Sequence, residues 1–154
     1  GAVEVNLISE ARNKGTKWFV NTIVPHTHSD LYSYSSWDFS NDPEKLKANL
    51  DYLKAQAPAS AIFGKEHVML GEYGAPQLRE DVRTADRQRE ITRKVTRAAV
   101  EWGARYVVYW QVFDNELKDD GKYTGFWIRD NNGKRTPVWN LFRDMFTTNK
   151  FPAS

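Results

Sequence analysis

The chain has 154 residues, enough for one domain with its own hydrophobic core and too few for two of ordinary size. Its 22 basic and 20 acidic residues are interspersed and leave a formal charge of +2, so no charge-driven nucleic-acid or membrane partner is expected. There is no cysteine, which excludes disulfides and thiolate metal sites. No apolar run approaches the roughly 20 residues of a membrane helix, and Gly1–Glu4 lacks a signal-peptide pattern. Aromatic residues reach 14%. Flat amphipathic rings can stack on the C–H faces of sugars, although filling a core accounts for most of them.

In chain order, Val3, Leu7, Ile8 and Ala11 fall at helical spacing, which predicts a helix over 3–14 ended by Gly15. The β-branched and aromatic run 18–24 predicts a strand stopped by Pro25, and a second strand follows at 30–35. Asn41-Asp42-Pro43-Glu44 opens a helix with an Asx cap, a first-turn proline and an acid near the positive end of the dipole. Leu46, Leu50, Leu53 and Ala57 form its apolar stripe, and Pro58 stops it. Residues 67–72 read as a third strand. Residues 84–102 read as a long amphipathic helix with Ile91, Val95, Ala98, Ala99 and Trp102 on one face. The run 105–113 is apolar at nearly every position, as suits a strand covered on both faces. Asp130-Asn131-Asn132-Gly133 predicts a hairpin turn between 123–128 and 134–136, and Pro137 precedes a last helix. Strands alternating with helices predict an α/β fold with a parallel sheet.

In parallel α/β folds the chemistry gathers at the carboxyl ends of strands. Glu72 ends the third strand between Gly71 and Gly74; Ser35, Ser36 and Trp37 end the second; Trp110, Gln111, Asp114 and Asn115 end the fourth. A carboxylate closing an otherwise apolar strand is costly unless solvated or hydrogen-bonded, so Glu72 is either a functional group or a capped or ion-paired one.

The segment His67-Val68-Met69-Leu70-Gly71-Glu72-Tyr73-Gly74 resembles the seventh-strand motif of the clan A glycoside hydrolases, the superfamily of cellulases, mannanases and β-glycosidases. Tyr106-Val107-Val108-Tyr109-Trp110-Gln111 resembles their eighth strand, and 30–37 their sixth. The tail from Gly125-Phe126-Trp127-Ile128 through Asp130, Gly133, Lys134, Thr136, Pro137 and Trp139 resembles the end of those barrels. The resemblance implies the C-terminal half of a (β/α)8 TIM barrel, strands five to eight, with 18–24 as the fifth. It makes Glu72 the catalytic nucleophile and Trp110 the floor of a sugar subsite. Trp37, Ser35, Tyr34, Gln111, Asn115 and His28 become candidate substrate contacts.

The same resemblance exposes two departures. The clan's acid/base is the Glu of an Asn-Glu pair on the fourth strand, which this chain lacks; Asn115-Glu116 falls in a loop after the last strand. Where the clan places His-x-Tyr, this chain has Ser35-Ser36-Trp37. The expectation is a retaining glycosidase half-domain acting on β-linked sugars, inactive or weakly active alone, needing no cofactor. A missing N-terminal half-barrel or a homodimeric partner would complete it. The alternative is a non-catalytic carbohydrate-binding or self-assembling half-barrel. A secreted or periplasmic setting suits such a parent protein.

Two weaker signals carry no assignment. His26-x-His28-x-Asp30 sits behind Pro25, and polar contact with substrate suits it better than a metal. Asp114-Asn115-Glu116 with Asp119-Asp120-Gly121 lacks calcium-loop spacing and reads as a solvated acidic loop.

Overall fold

The computed structural model describes residues 1–38 and 42–152. The chain divides into two compact units: residues 1–73 with 98–108, and residues 74–97 with 109–154. No described helix is long and apolar enough to cross a membrane.

The first unit carries a parallel sheet. Strand β1 (Ala2–Val5) pairs with β2 (Leu31–Ser35), β2 pairs with β3 (Val68–Tyr73), and β4 (Val107–Tyr109) completes the order β1-β2-β3-β4. The parallel α/β expectation therefore holds. The register sets Val5 beside Tyr34 and Glu4 beside Ser33. Tyr32, Tyr34, Val68 and Leu70 thus share one buried face, while Glu4, Ser33 and Met69 share the other.

Helices α1 (Ile8–Lys14) and α3 (Pro43–Gln56) pack on one another, and α3 packs on β2 and β3. Asp42 caps α3, its carboxylate accepting from the amides of Glu44 (3.0 Å) and Lys45 (3.3 Å), with Pro43 in the first turn. Asn41 lies outside the described residues. Leu46, Leu50 and Leu53 are fully buried.

Two sequence expectations are corrected here. Residues 3–14 are not one helix: Ala2–Val5 is a strand, and Leu7, in the left-handed region at φ 54°, turns the chain into α1. Val3 belongs to the strand; only Ile8 and Ala11 belong to the buried stripe of the helix. Residues 18–24 are not a strand. Helix α2 (Phe19–Thr22) runs into a 3-10 turn at Val24–His26. Asn21 accepts from the Trp18 amide (2.8 Å) and donates to the Thr16 carbonyl (3.0 Å), and the Thr22 hydroxyl donates to the Trp18 carbonyl (2.6 Å). These local bonds offer the backbone a helical alternative, and Val20 and Val24, four apart, are the buried pair.

Helix α4 (Ala85–Trp102) matches its expected span and contributes to both units. The fourth strand is shorter than predicted: β4 ends at Tyr109, and 110–113 leave the ladder. In the second unit the predicted hairpin is reduced to one isolated bridge, Arg129 with Arg135, while Leu117 bridges Tyr123 in the loop before it. The Asp130 turn does form, closed by its carboxylate on the amides of Asn132 (3.0 Å) and Lys134 (2.8 Å). The chain then enters α5 (Pro137–Thr148).

Irregular backbone needs side chains to satisfy it, and the second unit supplies them. Buried Gln88 donates to the carbonyls of Ala75 and Gly125, both at 2.7 Å. Buried Asp114 accepts from the amides of Glu116 (3.0 Å) and Gly125 and from the Thr124 hydroxyl (3.2 Å). Gly125 takes φ +87°, and a Cβ there would press on the backbone nitrogens of Gln77 and Leu78.

Candidate functional site

In the first unit the β2–β3 register slips between Tyr34 and Ser35, so Ser35 stands opposite Glu72 at the carboxyl end of the sheet. The amide of Ser36 donates to the Glu72 carbonyl at 2.9 Å, and its hydroxyl donates to the same oxygen at 3.0 Å. The slip carries Trp37 over the strand end, where its indole Nε1 donates to Glu72 Oε2 at 2.9 Å. Glu72 is half-buried and Trp37 is 43% exposed. Trp37 and Glu72, both nominated from sequence, therefore meet directly. Gly71 is a packing requirement as well as an opening: a Cβ there would overlap the Ser33 hydroxyl. In the second unit, a Cβ on Gly74 would overlap the Trp110 carbonyl.

Sequence reasoning missed Glu4. On β1 it shares the face of Ser33, and it accepts from the Ser35 hydroxyl at 2.6 Å. The signal was the alternation Ala2-Val3-Glu4-Val5, hidden by reading the segment as helix. Among the described residues neither Glu4 nor Glu72 has an ion-pair partner.

Tyr34, a predicted substrate contact, is corrected to a structural role. Its ring is fully buried on the opposite face of β2. The hydroxyl donates to Asp38 Oδ1 and accepts from Asn49 Nδ2, both at 2.7 Å. Burial first, then the neighbouring Asp38 charge, pushes the phenol well above its ordinary pKa, while Asn49 and Ser9 oppose the shift. Asn49 is fully satisfied, donating also to Ser9 Oγ (2.7 Å) and accepting from Arg12 Nε (3.0 Å). Asp38 takes a further bond from the Ser9 amide (2.7 Å). Tyr34 thus belongs to a polar cluster that anchors Asp38, the neighbour of Trp37.

His28 is also corrected. Because 19–26 is helical, His28 lies in the loop entering β2, at the end of the sheet opposite Glu72. Among the described residues no group of three metal-capable side chains forms, so His26, His28 and Asp30 do not assemble a centre.

The remaining nominated residues belong to the second unit. The Trp110–Gln111 peptide is cis. Trp110 Nε1 donates to Glu116 Oε1 (2.5 Å), and the Gln111 amide lies 2.8 Å from Asn115 Oδ1. Glu116 as the holder of Trp110 was not legible in the sequence. Asp114 is committed to loop backbone, so the acidic loop is a scaffold rather than an open set of oxygen ligands. A concavity of about 390 Å³ is lined by Gln77, Trp127, Asp130, Asn131, Lys134 and Thr136 among others. It contains none of the nominated residues, and Asp130 within it is spent on its own turn.

No protein-family model and no curated protein matches the chain. Solved structures do. A GH2 β-galacturonidase from Eisenbergiella tayi bound to glycerol superposes with a TM-score of 0.57 at 15% identity, over 81% of this chain and 25% of that one. The same enzyme type bound to galacturonate gives a TM-score of 0.58 at 15% identity, over 80% and 25%. A GH5_18 protein from Bifidobacterium longum subsp. infantis gives 0.55 at 22% identity, over 81% and 32%. The chain spans between a quarter and a third of the length of these structures. Over some four fifths of its residues, this chain has a glycoside hydrolase-like α/β fold.

Proposed function

We propose that the chain is the C-terminal half of a (β/α)8 glycosidase barrel acting on β-linked sugars, with Glu72 as nucleophile. The observation that carries this reading is the Trp37 indole bonded to Glu72 at the carboxyl end of a parallel strand. The bond orients one carboxylate oxygen and leaves Oε1 without a protein donor among the described residues. The similarity to glycoside hydrolase structures supports a carbohydrate-related role. In this reading β1, rather than 18–24, is the fifth barrel strand, because β1 is the neighbour of β2. In the first unit Trp37 and Ser35 are the proposed substrate contacts; in the second, Trp110 is the proposed floor of a sugar subsite, with Gln111 and Asn115 as contacts.

Retaining hydrolysis needs a second carboxyl about 5–5.5 Å from the nucleophile, to protonate the leaving oxygen and then activate water. Glu72 would attack the anomeric carbon, the glycosidic bond would break, and the second group would deliver the proton. The one Asn-Glu of this sequence, Asn115-Glu116, stands in a loop, so in this reading an N-terminal half-barrel, rather than a second copy repeating the same sequence, supplies the acid/base. Tyr106, just before β4, and Val108 on it are 49% and 46% exposed, which favours such an assembly. The test is hydrolysis of aryl β-glycosides by the completed barrel: Glu72→Gln is expected to abolish turnover. Undiminished turnover overturns the assignment. Sugar binding without turnover in the completed wild-type barrel favours the non-catalytic alternative instead.

A further inference from the structure

Resting on the reading of Glu72 as part of a sugar site, we propose that this site takes a neutral pyranoside and excludes uronates, with Glu4 as the specificity-determining residue. Three side-chain donors stand at the end of β2, and each is spent on a protein acceptor. The Ser35 hydroxyl goes to Glu4 Oε1 (2.6 Å), the Ser36 hydroxyl to the Glu72 carbonyl (3.0 Å), and the Trp37 indole to Glu72 Oε2 (2.9 Å). A serine has one proton to give, so Ser35 Oγ can offer a ligand only its lone pairs. The second oxygen of Glu4 and Oε1 of Glu72 have no protein donor among the described residues. What the strand ends present outward is therefore carboxylate acceptors, exposed Glu4 and half-buried Glu72, with Ser35 buried behind them.

Sugar hydroxyls satisfy such a set by donating to it, and bonds to the two carboxylates are charge-assisted. A sugar carboxylate donates nothing and brings a third negative charge to two carboxylates that have no ion-pair partner among the described residues. Rejection by repulsion and unpaired groups sets specificity as effectively as attraction does. Glu4 is the element that makes the difference. Without its charge the repulsion on a sugar carboxylate would halve.

The test titrates the chain with matched pairs, methyl β-glucopyranoside against its uronate and methyl β-galactopyranoside against its uronate. The Trp37 indole N–H resonance is the reporter. The neutral member of at least one pair is expected to bind about tenfold or more tighter than its uronate. Glu4→Gln is expected to narrow that gap to about threefold, and Ser35→Ala, which keeps the Glu4 charge, to preserve it. A uronate that binds wild type as well as its neutral partner, or a gap untouched by Glu4→Gln, overturns the specificity claim while leaving the sugar site standing. If no sugar of either charge moves the resonance, the sugar site falls and this inference with it.

Discussion

The two units solve the same problem by different means. In the first, β1, β2 and β3 satisfy one another's backbone groups, and the side chains are free to build an apolar core of Ile8, Leu46, Leu50, Leu53, Val68 and Leu70. In the second, 110–136 contains no strand, only isolated bridges. Its backbone is held by buried polar side chains, Gln88 and Asp114 above all. A buried N–H or C=O must find a partner wherever it is. The contrast teaches that regular structure supplies those partners from within the backbone, while loops draw them from side chains that then have no other use. Asp114 stands near the candidate aromatic Trp110 in sequence, but its carboxylate is consumed by architecture.

That contrast can be broken from either side. The largest effect is expected from Leu50→Ala, which opens a cavity in the first unit and should cost about 3–4 kcal/mol, read by denaturant unfolding. Its loss of amide protection should be greatest in α3, β2 and β3. Next, Asp114→Ala leaves two amides and a hydroxyl without their acceptor and should cost about 2–3 kcal/mol. Hydrogen exchange should place that loss at Glu116 and Gly125 rather than in the sheet. An Asp114→Ala variant with unchanged exchange there would break the comparison. Gln88→Leu strips donors from the buried carbonyls of Ala75 and Gly125 and should cost about 2 kcal/mol, again within the second unit.

The smallest effect sharpens the comparison through pH. Hydrogen bonds from Arg93, at 2.9 Å to each carboxylate oxygen, hold Glu90 at about 2, below its ordinary 4.5. A depressed carboxylate contributes stability that is fully present above the ordinary value and is lost as pH falls from about 4.5 towards 2. The pair is partly exposed, so its contribution is about 1 kcal/mol. Glu90→Gln should remove that portion of the acid-induced loss and leave stability at pH 7 about 1 kcal/mol lower. Equal acid sensitivity in both proteins would contradict the role of the pair.

The motif around Glu72, the long helix over 85–102 and the Asp42 cap were legible because each rests on local chemistry: a strand end with flanking glycines, a 3.6-residue stripe, a side chain reaching the next two amides. The same local reasoning went astray at 18–24. There β-branched composition argued for a strand, and the bonds of Asn21 and Thr22 to their own backbone decided for a helix. The error at 3–14 followed, since Val3 happens to fall at helical spacing from Leu7, and it hid Glu4.

By itself the sequence determined the parallel α/β character, the positions of the third strand and of three helices, and Glu72 with Trp37 as candidate partners. Only the tertiary structure decided that Glu4 stands beside Ser35, that Tyr34 turns away from the site, and that His28 lies at the wrong end of the sheet. The physical reason is register. A one-residue slip between Tyr34 and Ser35 sets which side chains meet Glu72, and a slip of that kind reverses faces without changing composition or spacing.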